Sequence, residues 1–263
     1  MMKTGLVSVT FRPKTPEQVV ALVAKGKLDA IEWGGDIHVP HGDVERAKQV
    51  RRMTLDAGLI VASYGSYYRA AHSENDNLPF AKVLDSALAL DAPTIRVWAG
   101  TLGSAKADAA NRAAVADDLR RIGSMAAGEG ITVSLEYHGG TLTDTNESAA
   151  QLLQDVNHPN IRLYWQPPEG DEAYRMAGLK AALPVLSNLH VFHWVMCNGQ
   201  RERCPLAEGH ESWKTYFRAV RETGRPHAAL LEFVRGDSDE QFLADAATLR
   251  DWVAQEHAAG ARV

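Results

Sequence analysis

Two carboxylates stand at the ends of short apolar runs, Glu136 in "SLEYHGG" and Glu232 in "LLEFVRGD". Two more polar residues hold matching places, Gln166 in "LYWQPPEG" and His193 in "HVFHWVMCN". Each sits beside bulky, strand-favouring residues, so each reads as a single polar side chain turned inward where a strand ends. A carboxylate among aliphatic neighbours is costly to keep charged, and two that face each other cost more. A divalent cation offsets that cost. Glu136, Gln166, His193 and Glu232 together offer three oxygens and one nitrogen, a borderline-to-hard set suited to one Mn²⁺, Mg²⁺ or Co²⁺ ion, with Zn²⁺ also admissible. Taken singly, either glutamate reads equally well as half of a buried ion pair, and a lone histidine as a hydrogen-bonded core residue.

These side chains can meet only if the chain brings four strand ends together. β-favouring runs recur at residues 6–11, 30–33, 59–64, 94–98, 131–137, 161–165, 189–195 and 228–234. Amphipathic helical patterns lie between them, for example at 44–57, 80–90, 111–129 and 211–222. Thr15-Pro16 opens the first helix and Gly58 closes the second. Ser238 with Gln241 reads as a capping box for a last helix over 239–257. Eight strand–helix units within 263 residues fit an α/β fold, a single (β/α)₈ TIM barrel spanning 1–263. An open doubly wound sheet would carry a glycine-rich turn after its first strand, where this chain has "RPKTPEQ". In a TIM barrel, chemistry gathers at the C-terminal ends of the strands. The alternation that turns Glu136 inward also turns Ser134 inward one layer below, and Arg96 is placed as an interior partner for Glu32.

Composition narrows the field. A formal net charge of −5 disfavours a phosphate backbone as partner, so no nucleic acid is expected. The two cysteines, Cys197 and Cys204, match no zinc-knuckle or redox spacing and read as free thiols of a reducing compartment. "MMKTGLVSVTFRPKT" lacks the apolar run and cleavage site of a signal peptide. The longest uncharged run, 181–200, is interrupted by Pro184, Ser187, Asn188 and two histidines, so no membrane span is expected. These features describe a cytoplasmic protein with a small-molecule partner, and they leave a homo-oligomer open.

The same motifs resemble those of the xylose-isomerase-like barrel superfamily, in particular its sugar phosphate isomerase/epimerase branch. The likeness rests on the Glu of "SLEYHGG", the His of "HVFHWV", the loop "PLAEGHESW" and the Glu of "LLEF", in that order along nearly the whole chain. It implies a cation that chelates neighbouring oxygens of a keto-sugar and acidifies the adjacent C–H, with Glu136 and Glu232 exchanging the proton. The family pattern has an Asp where this chain has Gln166, and a His where it has Glu169. The first change leaves two anionic ligands instead of three; the second removes a usual contact to a substrate hydroxyl.

A metal-dependent sugar isomerase or epimerase is the first expectation. A lyase, either a dehydratase or a β-eliminase on an oxidised sugar or glycoside, is chemically adjacent, and the Gln166 and Glu169 departures give it weight. Abasic-site endonucleases share the barrel but need more histidines and acids and a basic surface. A metal-free binding barrel is the remaining alternative. Around the mouth, His41, His138, Glu169, Arg201, Trp98 and Tyr67 are the expected substrate contacts, with His38, Trp33, Tyr68 and Arg203 in weaker positions. Arg201 follows the resemblance, which places an arginine after the seventh strand.

Overall fold

Glycine, small residues and a buried ion pair shape the inside of this protein. The computed structural model describes residues 2–260. Its strands are β1 (Met2–Val7), β2 (Ala30–Gly34), β3 (Ile60–Arg69), β4 (Thr94–Trp98), β5 (Thr132–Glu136), β6 (Ile161–Trp165), β7 (Leu186–Val191), β8 (Trp194–Cys197), β9 (Gln200–Arg203) and β10 (His227–Leu231). The first seven and β10 form a closed parallel barrel in the order β1-β10-β7-β6-β5-β4-β3-β2. β8 and β9 make a separate antiparallel hairpin inserted between β7 and β10. Among the described residues eight helices surround the barrel: α1 (Pro16–Lys25), α2 (Val44–Asp56), α3 (Phe80–Leu90), α4 (Ala109–Gly128), α5 (Asn146–Val156), α6 (Glu172–Ala182), α7 (His210–Arg221) and α8 (Asp239–Gly260). The expected (β/α)₈ TIM barrel is therefore the observed fold. None of the described helices is long and apolar enough to cross a membrane.

Helix ends follow their sequence signals. Thr15 caps α1 in a reciprocal box with Gln18, with Pro16 in the first turn. The Ser238 hydroxyl accepts from the Gln241 N–H at 3.2 Å and starts α8. Most apolar side chains pack between strands and helices, while a second, smaller cluster fills the barrel interior: Val7, Val9, Ala30, Ala62, Tyr164, Ala228 and Leu230. Two residues further along several strands, interior positions turn charged: Ala30 gives way to Glu32, Thr94 to Arg96, Ser134 to Glu136, Leu230 to Glu232. Gly65 leaves room for this layer. A Cβ there would stand 2.7 Å from Oε1 of Glu32 and 2.8 Å from Nη2 of Arg96.

Four strands depart from the sequence expectation: β3 runs on to Arg69, β10 stops at Leu231, and the first and seventh are displaced. The first runs over Met2–Val7, not 6–11; residues Ser8–Phe11 form a 3₁₀ turn whose buried Val9 and Phe11 imitate a strand's apolar content. The seventh ends at Val191, and the expected run 189–195 straddles two elements. The stretch "LSNLHVFHWVMC" is apolar nearly throughout, so periodicity admits two phases three residues apart. Backbone pairing decides between them. Leu189, His190 and Val191 lie opposite Ala229, Leu230 and Leu231 of β10, and the Asn188 side chain accepts from the Ala228 N–H at 2.8 Å. Leu230 faces the interior, and His190 beside it does the same.

Candidate active site

The C-terminal ends of β5, β6, β7 and β10 bring Glu136, Gln166, His190 and Glu232 together. Nδ1 of His190 stands 3.3 Å from Oε1 of Glu136, 3.3 Å from Oε2 of Glu232 and 3.3 Å from Oε1 of Gln166. One nitrogen carries at most one proton, so it cannot hydrogen-bond to all three oxygens at once. Donors bound to a shared ion at about 2.1 Å lie roughly 3.0–3.4 Å from one another. The observed spacing therefore suits a common divalent cation, held by Glu136, Gln166, His190 and Glu232. All three titratable members are buried, with Glu136, His190 and Glu232 forming a compact potential ligand group.

This corrects the sequence expectation for histidine. His193 lies past the end of β7, half-buried, and its neighbours are Cys204 and Glu208. His190, missed because both histidines sit among bulky residues, occupies the central place. Its signal is the "NLHV" run and its parity with the interior residue Leu230 of the neighbouring strand.

A buried charge network supports these side chains. Arg96, 1% exposed, donates Nε–H to Oε1 of Glu32 at 2.7 Å and Nη1–H to Oε2 of Glu136. The Trp98 indole N–H donates to the same Glu136 oxygen at 2.6 Å. Thus Oε2 of Glu136 is bound by two donors, while Oε1 faces His190. The Gln166 amide N–H₂ donates to the Tyr137 carbonyl, which turns its oxygen toward His190. Glu32 lies on the far side of the imidazole, its Oε2 3.5 Å from His190 Nε2, and accepts from the Ser63 hydroxyl at 2.6 Å.

The two carboxylates of the cluster titrate apart. Burial works to raise the Glu136 carboxyl, but Arg96 and His190 more than reverse it and hold it at about 2. Burial lifts Glu232 to about 7; His190 opposes the rise and the neighbouring Glu136 charge adds to it. Burial would lower the His190 imidazolium, yet Glu232 and Glu32 around it raise it to about 10 when no cation is bound. Environments that separate two carboxyl groups in this way are a common mark of catalytic sites.

Three expected mouth residues form one wall beside Glu136. The His138 ring stacks on Trp98 with centroids 4.3 Å apart, and the Tyr67 ring meets Trp98 edge-on at 5.4 Å. Tyr67 also lies over the Arg96 guanidinium at 4.8 Å. It holds a positive φ of 56°, and Phe233, directly after Glu232, holds 53°. Such backbone is costly for bulky residues, about 1–3 kcal/mol, and tends to collect at functional sites.

The other expected contacts are differently placed. His41 Nδ1 is 2.8 Å from the Tyr64 hydroxyl, which itself donates to the Val39 carbonyl. Glu169 is exposed and ion-paired with Arg201 across the mouth, from the loop after β6 to β9. Arg203 pairs with Asp237 at 2.6 Å. Trp33 donates to Thr54 under α2, Tyr68 packs on Phe80 of α3, and His38 bonds Ser8 and the Lys14 carbonyl. These last three serve packing.

A parallel eight-stranded barrel with a buried carboxylate–histidine–amide centre at its C-terminal mouth defines an enzyme-type architecture. Residues 20–252 match the family model of the xylose isomerase-like TIM barrel, and the chain belongs to that family. It is 30% identical over 156 residues to the 3-dehydroshikimate dehydratase of Bacillus anthracis; that stretch is 53% of this chain and 55% of the dehydratase, so the match spans about half of the curated relative's length. The probable 3-DHS dehydratase AsbF of Bacillus anthracis, involved in petrobactin synthesis, superposes with a TM-score of 0.80 at 22% identity, covering 95% of this chain and 99% of that one. D-psicose 3-epimerase, solved in the presence of D-fructose, gives 0.72 at 17% identity, with 96% and 99% covered. Both superpositions establish the shared fold.

Proposed function

We propose that the protein is a divalent-cation-dependent lyase that dehydrates a small sugar-like β-hydroxy carbonyl compound, with Glu232 as the base. The observation that carries this reading is the inequality of the two carboxylates. Oε2 of Glu136 is bound by Arg96 and Trp98, and the group stays ionised far below neutrality, which makes it a firm ligand and a poor proton carrier. Glu232 has no arginine or tryptophan donor of its own, and in the cation-free protein burial raises its carboxyl to about 7, so its oxygens are the less firmly held and the more basic of the two groups. One effective base suits elimination, whereas epimerisation through two carboxylates needs a second on the opposite face.

A cation held by Glu136, Gln166, His190 and Glu232 would polarise the substrate carbonyl and so acidify the neighbouring C–H. Glu232 takes that proton, the C–H electron pair becomes a carbon–carbon double bond, and the β-C–O bond breaks. The departing hydroxyl leaves as water on taking the Nε2 proton of a doubly protonated His138, whose Nδ1–H is donated to the Gly139 carbonyl at 2.7 Å. Trp98 and Tyr67 form the apolar wall against the ring of the substrate. The partial match to a 3-dehydroshikimate dehydratase supports the same reaction class.

The isomerase/epimerase reading expected from the sequence is the second. Its support is Oε1 of Glu136, which is not held by Arg96 or Trp98 and faces the centre beside His190 and Gln166. Incubating the manganese-loaded protein in heavy water with 3-dehydroshikimate and with a panel of ketohexoses separates the two. Water loss from the first, with no deuterium entering the recovered ketoses, is expected. Deuterium entering a ketose whose carbon skeleton stays intact, without water loss, assigns the protein to the epimerases instead.

A further inference from the structure

His193 leaves the barrel one residue before β8, and Cys204 follows directly on β9. The Cys204 N–H donates to the His193 carbonyl at 2.9 Å, so these two residues close the base of the hairpin. Glu208 comes from the 3₁₀ turn Leu206–Gly209, and Gly209 packs against the His193 ring so closely that a Cβ there would lie 2.8 Å from Nδ1. A ring nitrogen of His193, Sγ of Cys204 and a carboxylate oxygen of Glu208 fall within 4.8 Å of one another. Among the described residues none of the three has a strong partner: the thiol makes one long contact, 3.8 Å to the Glu202 carbonyl, and the His193 ring and Glu208 carboxylate make no hydrogen bond or ion pair.

We propose that His193, Cys204 and Glu208 form a second metal site, distinct from the barrel centre and selective for a thiophilic divalent ion such as Zn²⁺. The donors are one neutral imidazole, one thiolate and one carboxylate. Their two negative charges balance a divalent cation, and the fourth tetrahedral position is left to water. Sulfur selects zinc or cobalt over magnesium or manganese, whereas the barrel centre offers only oxygen and one nitrogen. The lone cysteine escapes a zinc-type spacing rule because its co-ligands are a histidine eleven positions back and a glutamate four ahead, joined by the hairpin. A cation here ties the β8–β9 hairpin, which carries Arg201 over the mouth, to the turn that leads into α7. Binding releases the thiol proton to solvent.

Cobalt tests this directly, because only a sulfur ligand gives a thiolate-to-cobalt charge-transfer band in the near ultraviolet. Titrating the reduced full-length protein with Co²⁺ should raise that band to a plateau, and Zn²⁺ should abolish it while Mg²⁺ does not. Cys204→Ser should lose the band and Cys197→Ser should keep it, with circular dichroism confirming that both fold. Glu208→Gln should weaken the band's cobalt affinity at least about tenfold. No thiolate band at saturating cobalt, or a band that survives Cys204→Ser, overturns the assignment. Neither outcome depends on the barrel centre, which contributes no sulfur.

Discussion

Oε2 of Glu32 lies 3.5 Å from Nε2 of His190, on the side of the imidazole away from Glu136 and Glu232. That nitrogen is buried and has no hydrogen-bond partner at normal length. A histidine that ligates through one nitrogen usually donates its other N–H to a carboxylate, which fixes the tautomer and raises its basicity. Arg96 and Ser63 hold Glu32 in place for that role. Glu32→Gln keeps the shape and removes the charge. Manganese affinity, measured calorimetrically, should fall about 10- to 100-fold. Unchanged affinity would make Glu32 only an ion-pair partner of Arg96.

The two histidines of "HVFHW" should separate cleanly. His190→Ala removes the nitrogen at the centre of the cluster and should cost at least about a hundredfold in activity, with loss of the barrel cation. His193→Ala should leave manganese affinity at the barrel centre unchanged, since its neighbours are Cys204 and Glu208. Metal analysis of both variants after manganese loading checks this, and a loss of manganese on His193→Ala alone would reverse the placement.

Glu232→Gln preserves an oxygen ligand and removes the base. Substrate C–H exchange in heavy water should slow by about a hundredfold or more, the usual scale for a general base. Metal content should fall less than activity does. Exchange at the wild-type rate would take Glu232 out of proton transfer.

Stability of the cation-free protein should peak in mildly acid solution. His190 is raised from 6.5 to about 10 in the fold, so its contribution is complete below about 6.5 and is lost as pH climbs through 10. Glu232 is raised from 4.5 to about 7, so ionising it also weakens the fold as pH climbs through that window. Glu136 is lowered to about 2, and its contribution, complete above 4.5, is lost as pH falls toward 2. Thermal denaturation in chelator should thus show a falling midpoint from about pH 6 to 10. Saturating manganese should flatten that decline, because it keeps His190 neutral and Glu232 ionised.

The barrel was legible because βα units repeat and their caps are explicit, as at Thr15-Pro16 and Ser238, although the Gln241 side chain bonds Asp245 and does not close the second box. Glu136, Gln166 and Glu232 were legible because each ends a strand whose neighbours face the other way. His190 was not, because "LSNLHVFHWVMC" continues apolar past the strand into the hairpin, and only pairing with β10 sets the phase. The interior Glu32–Arg96 pair was anticipated, but its reach to His190 and Glu136 depends on the closing of the barrel, which brings β2, β4, β5 and β7 side chains to one level.

Crystals soaked in Mn²⁺ and measured at the manganese edge give the most direct test. One anomalous peak about 2.0–2.6 Å from oxygens of Glu136, Gln166 and Glu232 and from Nδ1 of His190 is the expected result. A map without density between these four side chains, or with the ion bound elsewhere in the barrel mouth, would contradict the shared-cation centre.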